Sequence, residues 1–268
     1  MKTIGFIGCG NMGSAIIGGV IGAGVADKDQ VIAADHTPEA VDRIKSQCGI
    51  NATTDNKEVA TKADILFLSV KPNMFDTVIP EIRDCVTDDT IVVSIAAGQT
   101  IDNIQRLFAK DIKLVRSMPN TPALVGQAMS AVVPNERVEE SELKEVLQIF
   151  ESFGEAEVVS EKLMDAVVGV SGSSPAYVYM FIEAMADAAV ADGMPRAQAY
   201  KFAAQSVLGS AEMVLKTGKH PGELKDAVCS PAGTTIAAVA KLEELGFRGA
   251  VMAGQKACSD KSREMSGK

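Results

Sequence analysis

The sequence predicts an α/β protein, with a doubly wound parallel sheet over residues 1–160 followed by an all-α C-terminal domain over residues 161–268. Three observations carry that reading. Short apolar, β-rich runs alternate with helical patterns through the first part, as a parallel sheet joined by crossover helices requires. A glycine-rich turn directly follows the first of those runs. Beyond Ser160 the strand pattern stops, and Ala, Met, Leu, Glu and Lys at helical spacing run on to the C-terminus. At 268 residues and 47% hydrophobic, the chain has the material for one large domain or two ordinary ones.

In order, strands are predicted at Thr3–Ile7, Val31–Ala34, Ile65–Val70, Ile91–Ala96, Lys113–Arg116, Ser130–Val133 and Glu155–Val159. The helical segments between them are Gly13–Ala23, Pro38–Gln47, Asn56–Thr61, Met74–Ile82, Ile101–Phe108 and Glu140–Phe153. In the second part, Ser173 and Ser174 before Pro175 are a helix start, because a hydroxyl caps free amides and proline suits a first turn. That helix runs to about Ala191, placing Tyr177, Phe181, Ala184 and Ala188 on one side, and stops at Asp192-Gly193. Further helices are predicted at Arg196–Lys216, at Gly233–Leu245 with Gly246 as its stop, and from about Gly249. The small residues Ala184, Ala186, Ala188, Ala189 and Ala191 permit close helix approach, either within one subunit or between subunits of a homo-oligomer.

Composition closes several function classes. Lys plus Arg number 26 against 35 Asp plus Glu, a net charge of −9, and no segment gathers the cations that nucleic acid needs. Apolar stretches such as Ala63–Val70, broken by Asp64, fall short of the roughly 20 residues that span a bilayer. After Lys2 the apolar run meets Gly8, Gly10, Asn11 and Gly13, where a signal peptide needs an unbroken core, so a soluble cytoplasmic protein is expected. The cysteines at 9, 48, 85, 229 and 258 are odd in number and far apart, without CxxC, which predicts reduced thiols and no metal site. With His36 and His220 the only histidines, a His dyad or three-His zinc centre is nearly closed off.

Gly8-Cys9-Gly10-Asn11-Met12-Gly13 lies between the first strand and the first helix, the context a GxGxxG motif needs to bind a dinucleotide in a Rossmann sheet. Gly8 permits the tight turn, Gly10 lets backbone amides reach a pyrophosphate, and Gly13 allows helix to pack closely on strand. Asp35 ends the second strand, 22 positions after Gly13, where an acid accepts hydrogen bonds from the adenosine ribose and favours NAD. His36 and Thr37 could instead meet a 2′-phosphate, which keeps NAD and NADP both open. Ser69-Val70-Lys71-Pro72 and Ser94 through Gly98 close two more strands at the end of the sheet where ligands bind. Lys71 there is either a catalytic acid or a lysine donating to cofactor or backbone. In the helical part, Cys229-Ser230-Pro231-Ala232-Gly233-Thr234-Thr235 opens a helix whose free amides and dipole suit a carboxylate, or which is simply an N-cap.

Together these motifs resemble the pyrroline-5-carboxylate reductase family along essentially the whole chain. The matching pieces are Gly8–Gly13, Asp55-Asn56, Val70-Lys71-Pro72, Ala96-Ala97-Gly98, Met118-Pro119-Asn120-Thr121-Pro122, Ser171 through Tyr177, and Asp226 through Thr235. The resemblance implies reduction of L-1-pyrroline-5-carboxylate to L-proline by NADPH or NADH, the last step of proline biosynthesis. It also implies a helical substrate-binding domain that dimerises and often builds a ring of dimers. Carried over, Thr235 is the catalytic residue and bonds the substrate ring nitrogen, the amides of Gly233 and Thr234 hold the carboxylate, and Ser230 belongs to the same substrate-binding set. Ser173, Ser174 and Pro175 line the ring pocket. The cofactor set is Gly8, Gly10, Asn11, Met12, Gly13, Asp35, His36, Asn56, Val70, Lys71, Pro72 and Ala97. Asp35-His36 departs from the Asn-Arg or Ser-containing pairs common in the family.

The chemistry of the residues points the same way. Reducing a carbonyl wants a positioned acid such as His, and neither His36, at the adenosine end, nor His220, in a turn before Pro221, is well placed. An imine is more basic than a carbonyl and can arrive already protonated, so the protein needs chiefly to align hydride donor and acceptor and to stabilise charge. The alternatives are a 3-hydroxyacid dehydrogenase of similar two-domain layout with a lysine as acid, and a non-catalytic dinucleotide sensor.

Overall fold

The structure is a computed structural model and describes residues 2–266. The chain begins with β1 (Ile4–Ile7), α1 (Asn11–Gly22), β2 (Val31–Ala34), α2 (Pro38–Cys48), β3 (Asn51–Thr53) and α3 (Asn56–Lys62). It continues through β4 (Ile65–Leu68), α4 (Phe75–Ile82), β5 (Ile91–Ser94), α5 (Ile101–Phe108), β6 (Lys113–Met118) and β7 (Ala128–Pro134). Then come α6 (Glu140–Glu151), β8 (Gly154–Val158) and α7 (Met164–Val167), with a π-helical stretch over Val168–Gly172. The remaining helices are α8 (Ser174–Ala191), α9 (Arg196–Thr217), α10 (Pro221–Ala227), α11 (Thr234–Glu244) and α12 (Phe247–Met265).

The strands form one sheet in the order β3-β2-β1-β4-β5-β6-β7-β8. Strand order reverses at β1, whose neighbours are β2 on one side and β4 on the other, so the crevice expected at a switch point lies beyond Ile7 and Leu68. Side chains alternate across this sheet with period two. Ile4, Phe6, Ile65 and Phe67 join α1 and α6 in one core, whereas Ile7, Leu66 and Leu68 join α3, α4 and α5 in the other. Phe6 stacks on Phe67 at 4.8 Å between centroids.

Several details differ from the expectation. β7 runs antiparallel to β6, and β8 then pairs parallel to β7, so the sheet is not parallel throughout. β3, α7 and α10 were not foreseen. β3 is three residues of partly exposed Asn-Ala-Thr, and α10 opens on Pro221-Gly222 and lasts seven residues. β4 and β5 end at Leu68 and Ser94, two residues earlier than predicted, and α1 starts at Asn11 rather than Gly13.

The chain divides into two compact units. One runs from the start of the chain through Ser173 and takes in the residues from Cys258 onward; the other is Ser174–Ala257. The compositional change at residue 160 thus falls at the last strand, and the compact units divide beyond the π-helical stretch. Inside the first unit, Ser262 on α12 donates to Asp165 on α7 at 2.7 Å, and Asn120 Nδ2 donates to the Ser171 carbonyl at 3.1 Å. In the second unit α8 packs on α9 across a turn at Gly193, and Phe181 meets Phe247 at 6.1 Å. Among the described residues, no helix is long and apolar enough to cross a membrane.

Candidate active site

The glycine turn sits where β1 ends. Its first glycine is held there by the Gly8 amide donating to the Ala34 carbonyl at 2.8 Å. Gly8 has φ +103°, and a Cβ there would lie 2.7 Å from the Ser69 carbonyl oxygen. A Cβ on Gly13 would lie 2.4 Å from the Gly8 carbonyl oxygen, so α1 can close on the turn only without a side chain. Gly10 is different: nothing lies within 4 Å of the place its Cβ would occupy. The helix behind it has no side-chain cap, which leaves its first amides and dipole to an anion. The Ser69 hydroxyl, beside Gly13, is buried and lacks a hydrogen-bond partner. Two glycines forced by packing, one facing open space and an uncapped helix start fit a pyrophosphate.

A cavity of about 550 Å³ opens in front of this turn. Of the sequence-predicted cofactor residues, Gly8, Gly10, Asp35, His36, Asn56, Val70 and Lys71 face it. Asn11, Met12 and Gly13 form the first turn of α1, Pro72 starts a 3-10 turn, and Ala97 lies in the β5–α5 loop; none of these five lines the cavity. Asn73, Met74, Thr77 and Glu81 line it and were missed. Glu81 had one signal, its place on the first helix after Lys71, and it accepts from Asn56 Nδ2 at 3.0 Å. Asp55 caps α3 by accepting from the Lys57 amide at 2.9 Å, which sets Asn56 at the cavity wall.

Asp35 is more constrained than sequence alone suggests. Its Oδ2 accepts from the Cys9 amide at 2.8 Å, and its Oδ1 accepts from the Thr37 amide and hydroxyl, both at 3.2 Å, with His36 Nδ1 at 3.1 Å. Burial alone would raise its pKa, but the amides of Cys9 and Thr37, the Thr37 hydroxyl and His36 outweigh it and hold the carboxyl below its ordinary value. The same surroundings act oppositely on Cys9. Burial, then the nearby Asp35 charge, push its thiol up to about 12, so it is no nucleophile at neutral pH.

In the second unit, the helix start expected from sequence as a carboxylate cradle or a plain N-cap follows a strained residue. Ala232 has φ +57°, a left-handed conformation that costs an L-residue about 1–2 kcal/mol. It turns the chain so that α11 starts at Thr234 with Gly233 as N-cap and no side-chain cap. The Gly233 amide, expected to hold the carboxylate beside that of Thr234, instead donates to the Ser230 carbonyl at 3.1 Å, so the open donors of this helix start are the amides of Thr234, Thr235 and Ile236. Ser174 and Pro175 begin α8 in this unit, whereas Ser173 belongs to the first, its amide donating to the Val168 carbonyl at 2.8 Å.

Residues 161–265 match the family model described as pyrroline-5-carboxylate reductase dimerisation, and residues 3–98 match one described as NADP oxidoreductase, coenzyme F420-dependent. The pyrroline-5-carboxylate reductase of Escherichia coli K12 is 56% identical over 265 residues, covering 99% of this chain and 98% of that one. The chain belongs to the pyrroline-5-carboxylate reductase family. The solved Coxiella burnetii member of the family superimposes with a TM-score of 0.92 at 32% identity, covering 99% of this chain and 98% of that one. The Plasmodium falciparum pyrroline carboxylate reductase, solved with NADP bound, gives 0.90 at 33% identity with the same coverage.

Proposed function

We propose that this chain reduces L-1-pyrroline-5-carboxylate to L-proline with NADPH or NADH, the last step of proline biosynthesis. The observation that carries the reading is the family membership, 56% identity to an E. coli enzyme over nearly the full length of both chains. The NADP bound to the Plasmodium relative and the cavity before the Gly8 turn support a nicotinamide dinucleotide as cofactor.

When bound, the reduced nicotinamide supplies the hydride. The cofactor set Gly8, Gly10, Asn11, Met12, Gly13, Asp35, His36, Asn56, Val70, Lys71, Pro72 and Ala97 would hold it, with Pro72 and Ala97 outside the cavity lining and the open face of Gly10 admitting the pyrophosphate. Asn11, Met12 and Gly13 act through the helix start, where free amides and the dipole attract phosphate. The substrate set is Ser173, Ser174, Pro175, Ser230, Gly233, Thr234 and Thr235. The amides of Thr234 and Thr235, backed by the α11 dipole, bind the carboxylate; Gly233 and Ser230 shape the turn that exposes them. The Thr235 hydroxyl accepts a hydrogen bond from the protonated ring nitrogen, which needs no further acid because an imine is basic enough to arrive charged. Residues 1–160 form the dinucleotide-binding domain and residues 161–268 the substrate-binding and dimerisation domain of a cytoplasmic homodimer or ring of dimers. The dimerisation match over residues 161–265 supports the oligomer.

Steady-state assays following nicotinamide absorbance test this. Purified protein should oxidise NADPH or NADH when the cyclic imine is added, with negligible rates on 3-hydroxy or 3-keto acids. Thr235→Ala should lower kcat/KM by about 1–3 kcal/mol, the worth of one hydrogen bond from an otherwise buried polar site, with cofactor affinity near wild type. No imine-dependent oxidation would reject the assignment.

A further inference from the structure

We propose that Arg43 and Asp35 form a two-jawed clamp on Cys9, and that Arg43 is a positioning residue that aims the Gly10 amide into the cofactor cavity. This rests on the reading of that cavity as the nicotinamide dinucleotide site. Arg43 lies on α2, yet its Nη2 donates to the Cys9 carbonyl oxygen at 2.8 Å. Asp35 Oδ2 accepts from the Cys9 amide, also at 2.8 Å. These two bonds hold successive peptide units of the glycine turn. Asp35 holds the peptide joining Gly8 to Cys9, and Arg43 holds the one joining Cys9 to Gly10.

The second of these peptides decides cofactor binding. In a trans peptide the C=O and N–H bonds point in opposite directions, so drawing the Cys9 carbonyl toward Arg43 directs the Gly10 amide the other way. Gly10 lines the cavity, with open space where a side chain would stand. A cation on the carbonyl also polarises the peptide and makes its N–H a stronger donor to an anion. Arg43 itself is not among the residues lining the cavity, so it acts through the peptide. Ser14 Oγ donates to the same carbonyl oxygen at 3.0 Å, so removing Arg43 loosens the turn without releasing it.

Isothermal titration calorimetry with NADPH and NADH separately, alongside steady-state kinetics with the imine, tests the clamp. Arg43→Ala should weaken both cofactors by about tenfold and by equal factors, as loss of one charge-assisted hydrogen bond would. The cofactor KM should rise by more than kcat falls, and Arg43→Lys, which keeps a cationic donor, should recover most of the affinity. Should Arg43→Ala fail to fold, Arg43→Gln is read the same way. Wild-type affinity for both cofactors in the variant overturns the clamp alone. Loss confined to NADPH also overturns it, because Arg43 would then be a ligand of the 2′-phosphate. A wild-type protein that binds neither cofactor overturns the functional reading and the clamp with it.

Discussion

Gly8 and Gly10 lack side chains for opposite reasons, and the difference is measurable. At Gly8 the backbone is left-handed and a Cβ would press on the Ser69 carbonyl, so Gly8→Ala should destabilise the fold by about 1–3 kcal/mol, read as a lowered midpoint in urea. At Gly10 no protein atom stands in the way. Gly10→Ala should therefore leave that midpoint within about 0.5 kcal/mol of wild type, yet weaken NAD(P)H about ten- to hundredfold, because the added methyl occupies space the pyrophosphate needs. An equal stability loss in both variants would show that the turn is shaped only by packing. At this scale the motif residues were legible, because a GxGxxG turn has fixed spacing in sequence. Arg43 was not: it meets Cys9 from 34 positions away, and only the packing of α2 brings it there.

The elements most legible in sequence were those with strong periodicity. α5 carries Ile101, Ile104 and Phe108 on its buried face, is capped by the Thr100 hydroxyl accepting from the Asn103 amide, and was predicted to the residue. β3 was invisible because an edge strand of Asn-Ala-Thr has neither apolar alternation nor burial to reveal it, and the reversed direction of β7 leaves no mark because period two reads the same both ways. The ends of β4 and β5 were overestimated for a related reason: Val70 and Ala96 are apolar but lie past the point where the strands pair. Helix ends also hold two strained residues, Ala109 at φ +52° after α5 and Ala232 at φ +57° before α11. Each is a place where glycine would relieve the strain. Ala109→Gly and Ala232→Gly should each stabilise the protein by up to about 1 kcal/mol, since relief of the left-handed conformation exceeds the extra entropy glycine loses on folding. Thermal melts that move downward for both would mean the surrounding turns hold these residues without cost.

At the scale of the whole molecule, the two units differ in what they bury. The first contains two extensive apolar cores around Phe6, Phe67, Ile79 and Phe150. In the second, the only hydrophobic side chains fully buried among the described residues are Ala186, Ala199 and Ala203. Large apolar groups on the same helices remain open, including Met180 at 68% exposure, Phe202 at 67% and Leu215 at 81%. With full burial limited to three alanines, the apolar area these helices remove from water is small beside the entropy of ordering them, and large apolar side chains left this open are the mark of an interaction surface. The match of residues 161–265 to a family model described as dimerisation is what makes a second copy of the chain the occupant proposed for that surface. The sequence left this open because small residues on a helix suit an internal core and a subunit contact equally well. If the proposed dimer supplies the missing burial, stability depends on protomer concentration by mass action. The melting temperature should then rise across a hundredfold range of protein concentration, and sedimentation should give multiples of the 28.1 kDa chain throughout. A 28.1 kDa species that melts cooperatively at one temperature whatever its concentration would mean that the helices are stable with their apolar faces in water, and the dimer would have to be abandoned.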